Sequence, residues 1–152
     1  MGFLDNPQVQ ILFKLLLAAI LGGLVGLERE YKRKEAGLRT YSLVSLGAAL
    51  FTIISFEVSN LYLAKNGVTF DPSRIVGQIV LGIGFLGAGL IIFRGFHIEG
   101  LTTAAGLWVV AAIGVAVATR LYLLAFFVSF LTILILAGLR FLEEKFFSKE
   151  EK

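Results

Sequence analysis

The sequence predicts an all-α integral membrane bundle of about five transmembrane helices. Three observations predict it. Of 152 residues, 57% are hydrophobic and only 16% charged, where a soluble domain is nearer half apolar and a quarter charged. The charges fall in clusters, and the uncharged runs between them are about as long as a hydrocarbon core is thick. The mean hydropathy is +0.87. Cysteine is absent, so neither disulfides nor thiol chemistry enters. The net charge of +3 fits Lys and Arg held on one side of a membrane rather than nucleic-acid binding.

The opening "MGFLDNPQVQ" has no basic n-region, so a cleavable signal is not expected, and Asn6 stands where a myristoylation signal wants Ser or Thr. The first span is Val9–Leu27, with Pro7 suited to the first helical turn and Lys14 its only charge. The loop "EREYKRKEAGLR" separates it from the second span, Thr40–Val58, which carries Glu57 near its far end. A polar connector, Ser59–Phe70, includes "KNG" as a turn. Asp71 is a good N-cap, with Pro72 behind it at position N1, for a third span at Ser73–Phe93. A short loop, "RGFHIEG", leads to the fourth span, Leu101–Ala118, and Thr119 and Arg120 separate that from a fifth, Leu121–Leu139. No Gly or Pro marks that break, so four spans is the alternative. One helix over those 39 residues would run about 58 Å, against a hydrocarbon core of about 30 Å. Residues 1–140 thus form a transmembrane domain and 141–152 a short charged tail.

Lys/Arg placement sets the expected orientation. With the N-terminus outside and the C-terminus cytoplasmic, ten fall inside: Arg29, Lys32, Arg33, Lys34, Arg39, Arg94, Arg140, Lys145, Lys149 and Lys152. The outer side collects Lys65, Arg74 and Arg120, with Lys14 in the outer half of the first span.

"GIGFLGAG" (Gly82 to Gly89) matches the G-x-G-x-x-G spacing of a dinucleotide loop. That fingerprint needs a strand before it and a helix opening after it. Here the glycines sit inside the uncharged run Ile75–Phe93, which offers a pyrophosphate no compensation. Small residues instead let membrane helices approach closely. At 100° per residue, Gly82 and Gly89 share one face, with Gly77, Gly84 and Ala88 nearly opposite and Gly87 beside them. Two such faces predict neighbours on both sides and a central place in the bundle. Gly22 and Gly26 in the first span, and Ala104, Ala111 and Ala118 in the fourth, are candidate partners.

Charged groups within spans are costly and mark function, pairing or snorkelling. The outer group is Lys14, Glu57, Asp71, Arg74 and Gln78, with Arg74 and Gln78 four apart on one face. It is either a set of caps and interfacial pairs or a polar vestibule for an ion or regulatory ligand, centred on Asp71 and Arg74. The inner group is Glu28, Arg29, Glu30, Arg39, Thr40, Arg94, Glu99, Thr102 and Thr103. Glu28 and Arg39 can pair across the first hairpin, as structure or as function. His97 is the only histidine, so a metal site there is weakly motivated and no H-E-x-x-H protease is possible. An intramembrane serine protease would want an inward Ser–His pair, which a loop histidine does not provide. Trp108, mid-span, reads as packing. No enzyme and no bound cofactor is expected.

Three blocks then carry a resemblance. "LLLAAILGGLVGLEREYKRKEAGLRTYSLVSLGAALFTIIS" (Leu15 to Ser55), "DPSRIVGQIVLGIGFLGAGLII" (Asp71 to Ile92) and "GLTTAAGLWVVAAIGVA" (Gly100 to Ala116) resemble, in order, the segments of the MgtC/SapB family. The resemblance implies an inner-membrane protein of about five spans, associated with adaptation to low magnesium and, in pathogens, with survival inside host cells. The family carries a magnesium-transport label, and some members act as regulators through membrane partners such as the ATP synthase. Longer members have a soluble C-terminal domain.

Two mechanisms follow. One is a regulatory membrane module acting by helix contact with itself, as a homodimer or other homo-oligomer, or with a membrane-protein partner in the bilayer. The other is an ion pathway, for Mg²⁺ or another cation, with Mg²⁺ as transported or sensed ion. Magnesium dehydrates reluctantly and is held by carboxylates and retained waters. The chain offers Glu57 and Asp71 outside and Glu28 and Glu30 inside, with no acid at the midplane. A hydrated ion would need a wide pore built by an oligomer.

Overall fold

The computed structural model describes residues 6–66 and 71–139. Five helices in it are long and apolar enough to cross a membrane. They are α1 (Pro7–Tyr31), α2 (Leu38–Asn66), α3 (Ser73–Leu90), α4 (Leu101–Ala118) and α5 (Tyr122–Leu134), the last continued by a π-helical turn at Ile135–Leu139. The five-span reading therefore holds. The second helix runs on through most of the expected connector, to Asn66. The rest of that connector and the 141–152 tail lie outside the described residues.

Local chemistry sets the helix ends. Asn6 accepts the Gln8 N–H at 2.9 Å, and Pro7 follows it at the first helical position. α3 begins at Ser73 with Pro72, expected at N1, standing at the N-cap, and Asp71 one residue earlier accepts the Ser73 N–H at 2.9 Å. Two ends use the Schellman arrangement with arginine in the left-handed position. After α1, Arg33 has φ 52 and the Lys34 N–H reaches the Arg29 carbonyl at 3.0 Å. After α4, Arg120 has φ 66 and the Leu121 N–H reaches the Ala116 carbonyl at 2.9 Å. Glycine usually fills this position, which is why the break at Arg120 had no glycine to announce it.

The expected loop between the third and fourth spans is a small antiparallel hairpin. Strand β1 (Ile92–Arg94) pairs with β2 (His97–Glu99), Arg94 opposite His97. Helix α3 accordingly ends at Leu90 rather than Phe93. Gly100, at φ 89, closes the hairpin onto α4, and a Cβ there would collide with the Leu90 carbonyl oxygen.

The expected central place of the third span is corrected by the packing. α4 is the hub and touches all four other helices. Of its membrane span 61% is buried, against 11% for α3. The core runs along α4 through Leu107, Val110, Ile113 and Val117, and draws Leu21 and Val25 from α1 and Tyr41 and Ile53 from α2. Close approach is made by glycine. Gly22 and Gly26 lie against the Tyr41 carbonyl (2.7 Å) and the Gly37 carbonyl (2.8 Å), measured from where a Cβ would stand. Gly106 faces the Tyr41 hydroxyl and Gly114 the Ser45 carbonyl. On α3 only Ile83 and Gly87 are buried, and Gly87 meets Ala104. A Cβ added at Gly77, Gly82, Gly84 or Gly89 would meet no other helix within 4 Å among the described residues. α3 does have neighbours in α4 and, more lightly, α2, but among the described residues only Gly87 of its glycines makes a close approach. Ala111 is buried as expected, packed in a satellite cluster with Ala48 and Ile83. Trp108 is 53% exposed on the outer surface, not packed inside.

Candidate functional site

The polar groups gather at both ends of the bundle. At one end, the last turn of α1, the turn 32–37 and the first turn of α4 converge. Arg29 follows Gly22 and Gly26 on one helical face, since 3.6-residue periodicity places i, i+4 and i+7 together. That face turns inward, so Arg29 is only 4% exposed. Its Nη2 donates to Thr103 Oγ1 at 3.3 Å, and its Nη1 lies 3.5 Å from Glu28 Oε2. The Thr103 hydroxyl donates to Glu35 Oε2 at 2.8 Å. Buried Tyr41 donates to the Thr103 carbonyl at 3.1 Å. Arg29, Thr103 and Glu35 thus form a chain linking α1, α4 and the turn between α1 and α2.

The chain is incompletely satisfied. Glu28 Oε1 and Arg29 Nε are buried and have no hydrogen-bond partner among the described residues. Such groups are unusual and expensive in a folded interior. The Glu35 carboxyl is held below its ordinary range by its own backbone N–H and then by the Thr103 hydroxyl. Beside it opens a cavity of about 450 Å³, walled by Arg29, Arg33, Lys34, Glu35, Thr102 and Thr103 with the hairpin end at Glu99.

The expected Glu28–Arg39 pair is not made. Glu28 pairs with its neighbour Arg29, and Arg39 is exposed. Glu30 accepts the Leu38 N–H at 3.0 Å and caps the start of α2 across the turn. Thr103 is central to the network, whereas Thr102 is exposed at the cavity edge. Glu35 and Tyr41 were not expected here. The position of Tyr41 on the side of α2 facing Gly22 and Gly26 was readable; Glu35, in a turn, had no periodicity to give it away.

At the other end, the outer residues divide. Lys14 donates to the Ala118 carbonyl at 3.1 Å, meeting the exposed carbonyl end of α4. With Glu57, Asn60 and Arg120 it lines a cavity of about 260 Å³. Asp71, Arg74 and Gln78 do not line that cavity. Asp71 is fully exposed, and its carboxyl is lowered first by the Ser73 side chain and then by the Ser73 N–H. Arg74 is exposed. Gln78 lines an apolar cleft of about 740 Å³ between α2 and α3, opposite Thr40 and Gly47. Among the described residues, Asp71 and Arg74 are not brought into the cavity that Lys14 and Glu57 line. His97 is exposed on β2, and no group of three His, Cys, Asp or Glu converges to hold a metal among the described residues.

A five-helix bundle with uncharged helix interiors and polar ends defines a multi-pass membrane protein. A family model described as "MgtC family" matches residues 15–145, and the chain belongs to that family. It is 46% identical over 127 residues to "Putative magnesium transporter YhiD" of Escherichia coli K12, covering 84% of this chain and 59% of that protein. It is 50% identical over 98 residues to "Protein MgtC" of Brucella abortus, covering 64% of this chain and 38% of the relative. With "Protein MgtC" of Salmonella typhimurium it shares 47% over 104 residues, 68% of this chain and 41% of the relative. The chain therefore spans well under two thirds of the length of these relatives. No solved structure matches.

Proposed function

We propose that this chain is a regulatory membrane module linked to magnesium homeostasis and low-magnesium adaptation. In this reading it is not an enzyme and carries no bound cofactor. It lies in the bacterial inner membrane with its N-terminus outside and its C-terminus cytoplasmic, as the Lys/Arg bias favours. It works by helix contact with a second copy, as a homodimer, or with another membrane protein. The observation that carries the reading is the open surface of α3. Gly77 and Gly84 stand open on one face, and Gly82 and Gly89 on the nearly opposite one, where Gly82 borders the cleft toward α2; in lipid such small residues are where helices meet.

The competing reading, a pathway for Mg²⁺ or another cation, is favoured by the printed name of the Escherichia coli relative. Against it stands the charge distribution. Between Lys14 and Glu28, between Arg39 and Glu57, and from Ile75 to Ile92 there is no carboxylate to receive a dehydrating Mg²⁺. Two measurements separate the readings. In proteoliposomes holding a magnesium dye, wild type and Asp71→Ala should both give the leak of empty vesicles. In nanodiscs, Gly77→Leu/Gly84→Leu should insert and fold but lose association. Wild-type flux that disappears in Asp71→Ala would overturn the regulatory reading.

A further inference from the structure

The cavity beside Thr103 holds an unusual balance of charge. Glu28 is engaged by Arg29, and Glu99 by Arg94 at 3.2 Å. Arg33 and Lys34 make no ion pair among the described residues, and Glu35, held by the Thr103 hydroxyl, is the one carboxylate on the wall without an ion-pair partner there. The floor is the amino end of α4, an 18-residue helix whose N-cap is Gly100, with no side-chain capping bond. Its first amides therefore lack helical acceptors and carry the positive end of the helix dipole. Arg29 adds buried positive charge to the wall. It is more than nine-tenths buried, its Nη2 is held by Thr103 and its Nη1 lies by Glu28, and its Nε is left without a partner among the described residues.

We propose that this end of the bundle is a binding site for a phosphate-class anion, taken between the amino end of α4, Thr102 and Thr103, and the cations Arg33 and Lys34, with the Glu35 carboxylate occupying it when no ligand is bound. Glu35 is placed as such a stand-in. It presents an anionic oxygen to the Thr103 hydroxyl at 2.8 Å, beside the guanidinium of Arg29. It belongs to an exposed turn, so it can swing away without disturbing the core. Helix amino ends with nearby hydroxyl and cationic groups bind phosphate through oriented N–H donors. A divalent cation fits less well. No three carboxylates converge here among the described residues, and Arg29, Arg33 and Lys34 would repel it. The inference does not rest on the helix-contact reading of α3, which concerns a different surface.

The test uses the full chain purified in detergent. Inorganic phosphate is titrated by calorimetry. Retention of phosphatidylglycerol against phosphatidylcholine is read in parallel by native mass spectrometry. Both are repeated with Glu35→Gln and with Arg33→Gln/Lys34→Gln, whose altered side chains are exposed. Glu35→Gln should bind about tenfold more tightly, because it removes a like charge and a built-in competitor. Arg33→Gln/Lys34→Gln should bind at least about tenfold more weakly. Response to phosphate alone names a soluble ligand, and response to phosphatidylglycerol alone names a lipid headgroup; either supports the site. No binding of either probe, or binding equal in all three proteins, overturns it.

Discussion

Gly114 on α4 lies against the Ser45 carbonyl of α2, whereas Gly84 on α3 has nothing within 4 Å of the place a Cβ would occupy. The two helices are equally long, and α3 carries five glycines where α4 carries two. On α4 glycine is a packing residue, and it lets two backbones close on each other around Tyr41 and Ser45. On α3 only Gly87 is used in this way, against Ala104, and Gly77, Gly82, Gly84 and Gly89 are left open. The difference teaches that small-residue faces in a membrane chain report close approach without saying to what. On α1 and α4 the partner is within the chain; on α3 we propose that it is another molecule.

The contrast breaks first at Gly114. Gly114→Leu should abolish folding, because a backbone carbonyl cannot step aside, while Gly84→Leu should give a monodisperse protein with the wild-type melting temperature. Even Gly114→Ala should cost about 1–3 kcal/mol by overpacking, and Gly84→Ala should gain up to about 1 kcal/mol of helix propensity. Thermal scans in one detergent check all four, and equal losses at both sites would erase the distinction.

Next in size is the network that holds α4 to the α1 end. Thr103→Val keeps the volume but strips the hydroxyl from Arg29 and Glu35. It should destabilise by about 1–3 kcal/mol, since it leaves another buried donor unpaired. Thr102→Val, on the exposed edge, should be close to neutral. A denaturant series showing the reverse order would move the network to Thr102.

A smaller effect comes from pH. The folded-state pKa of Glu35 lies below its ordinary 4.5, so its contribution is fully present above that value. It is lost as the pH falls through the lowered folded pKa. Wild type should therefore lose stability on acidification relative to Glu35→Gln, and the two melting curves should converge at the acid end. A constant difference between them at all pH values would remove Glu35 from the linkage.

The smallest effect lies at the turn after α4. Arg120→Gly relieves a left-handed arginine but loosens the unfolded chain, so the two terms, each about 1 kcal/mol, should nearly cancel. A change in melting temperature of more than a few degrees would show that the Arg120 side chain contributes more to the outer cavity than its backbone does.

The spans were legible because bilayer thickness sets a minimum length for an apolar run, and Leu101–Ala118 was readable to the residue. The hairpin was not, since three-residue strands show no alternation and "RGFHIEG" looks like any polar connector. Arg29 could be placed from its register with Gly22 and Gly26, but its partners could not. Glu35 and Thr103 are 68 residues apart, and only the packing of α4 brings them together. Asp71 was singled out by its charge at a span end, and the use of its side chain on the Ser73 N–H was readable only as a capping pattern.

The placement of α3 also has a consequence for biogenesis. α1 and α2 close on each other through glycines of one and backbone carbonyls of the other, so they can associate as soon as both are in the bilayer. α3 leaves the ribosome next, yet its main contact is with α4, which has still to be made. Because synthesis runs from the N-terminus, the third helix must wait in lipid beside an unfinished bundle, and its open glycines are available to a neighbour during that interval as well as afterwards.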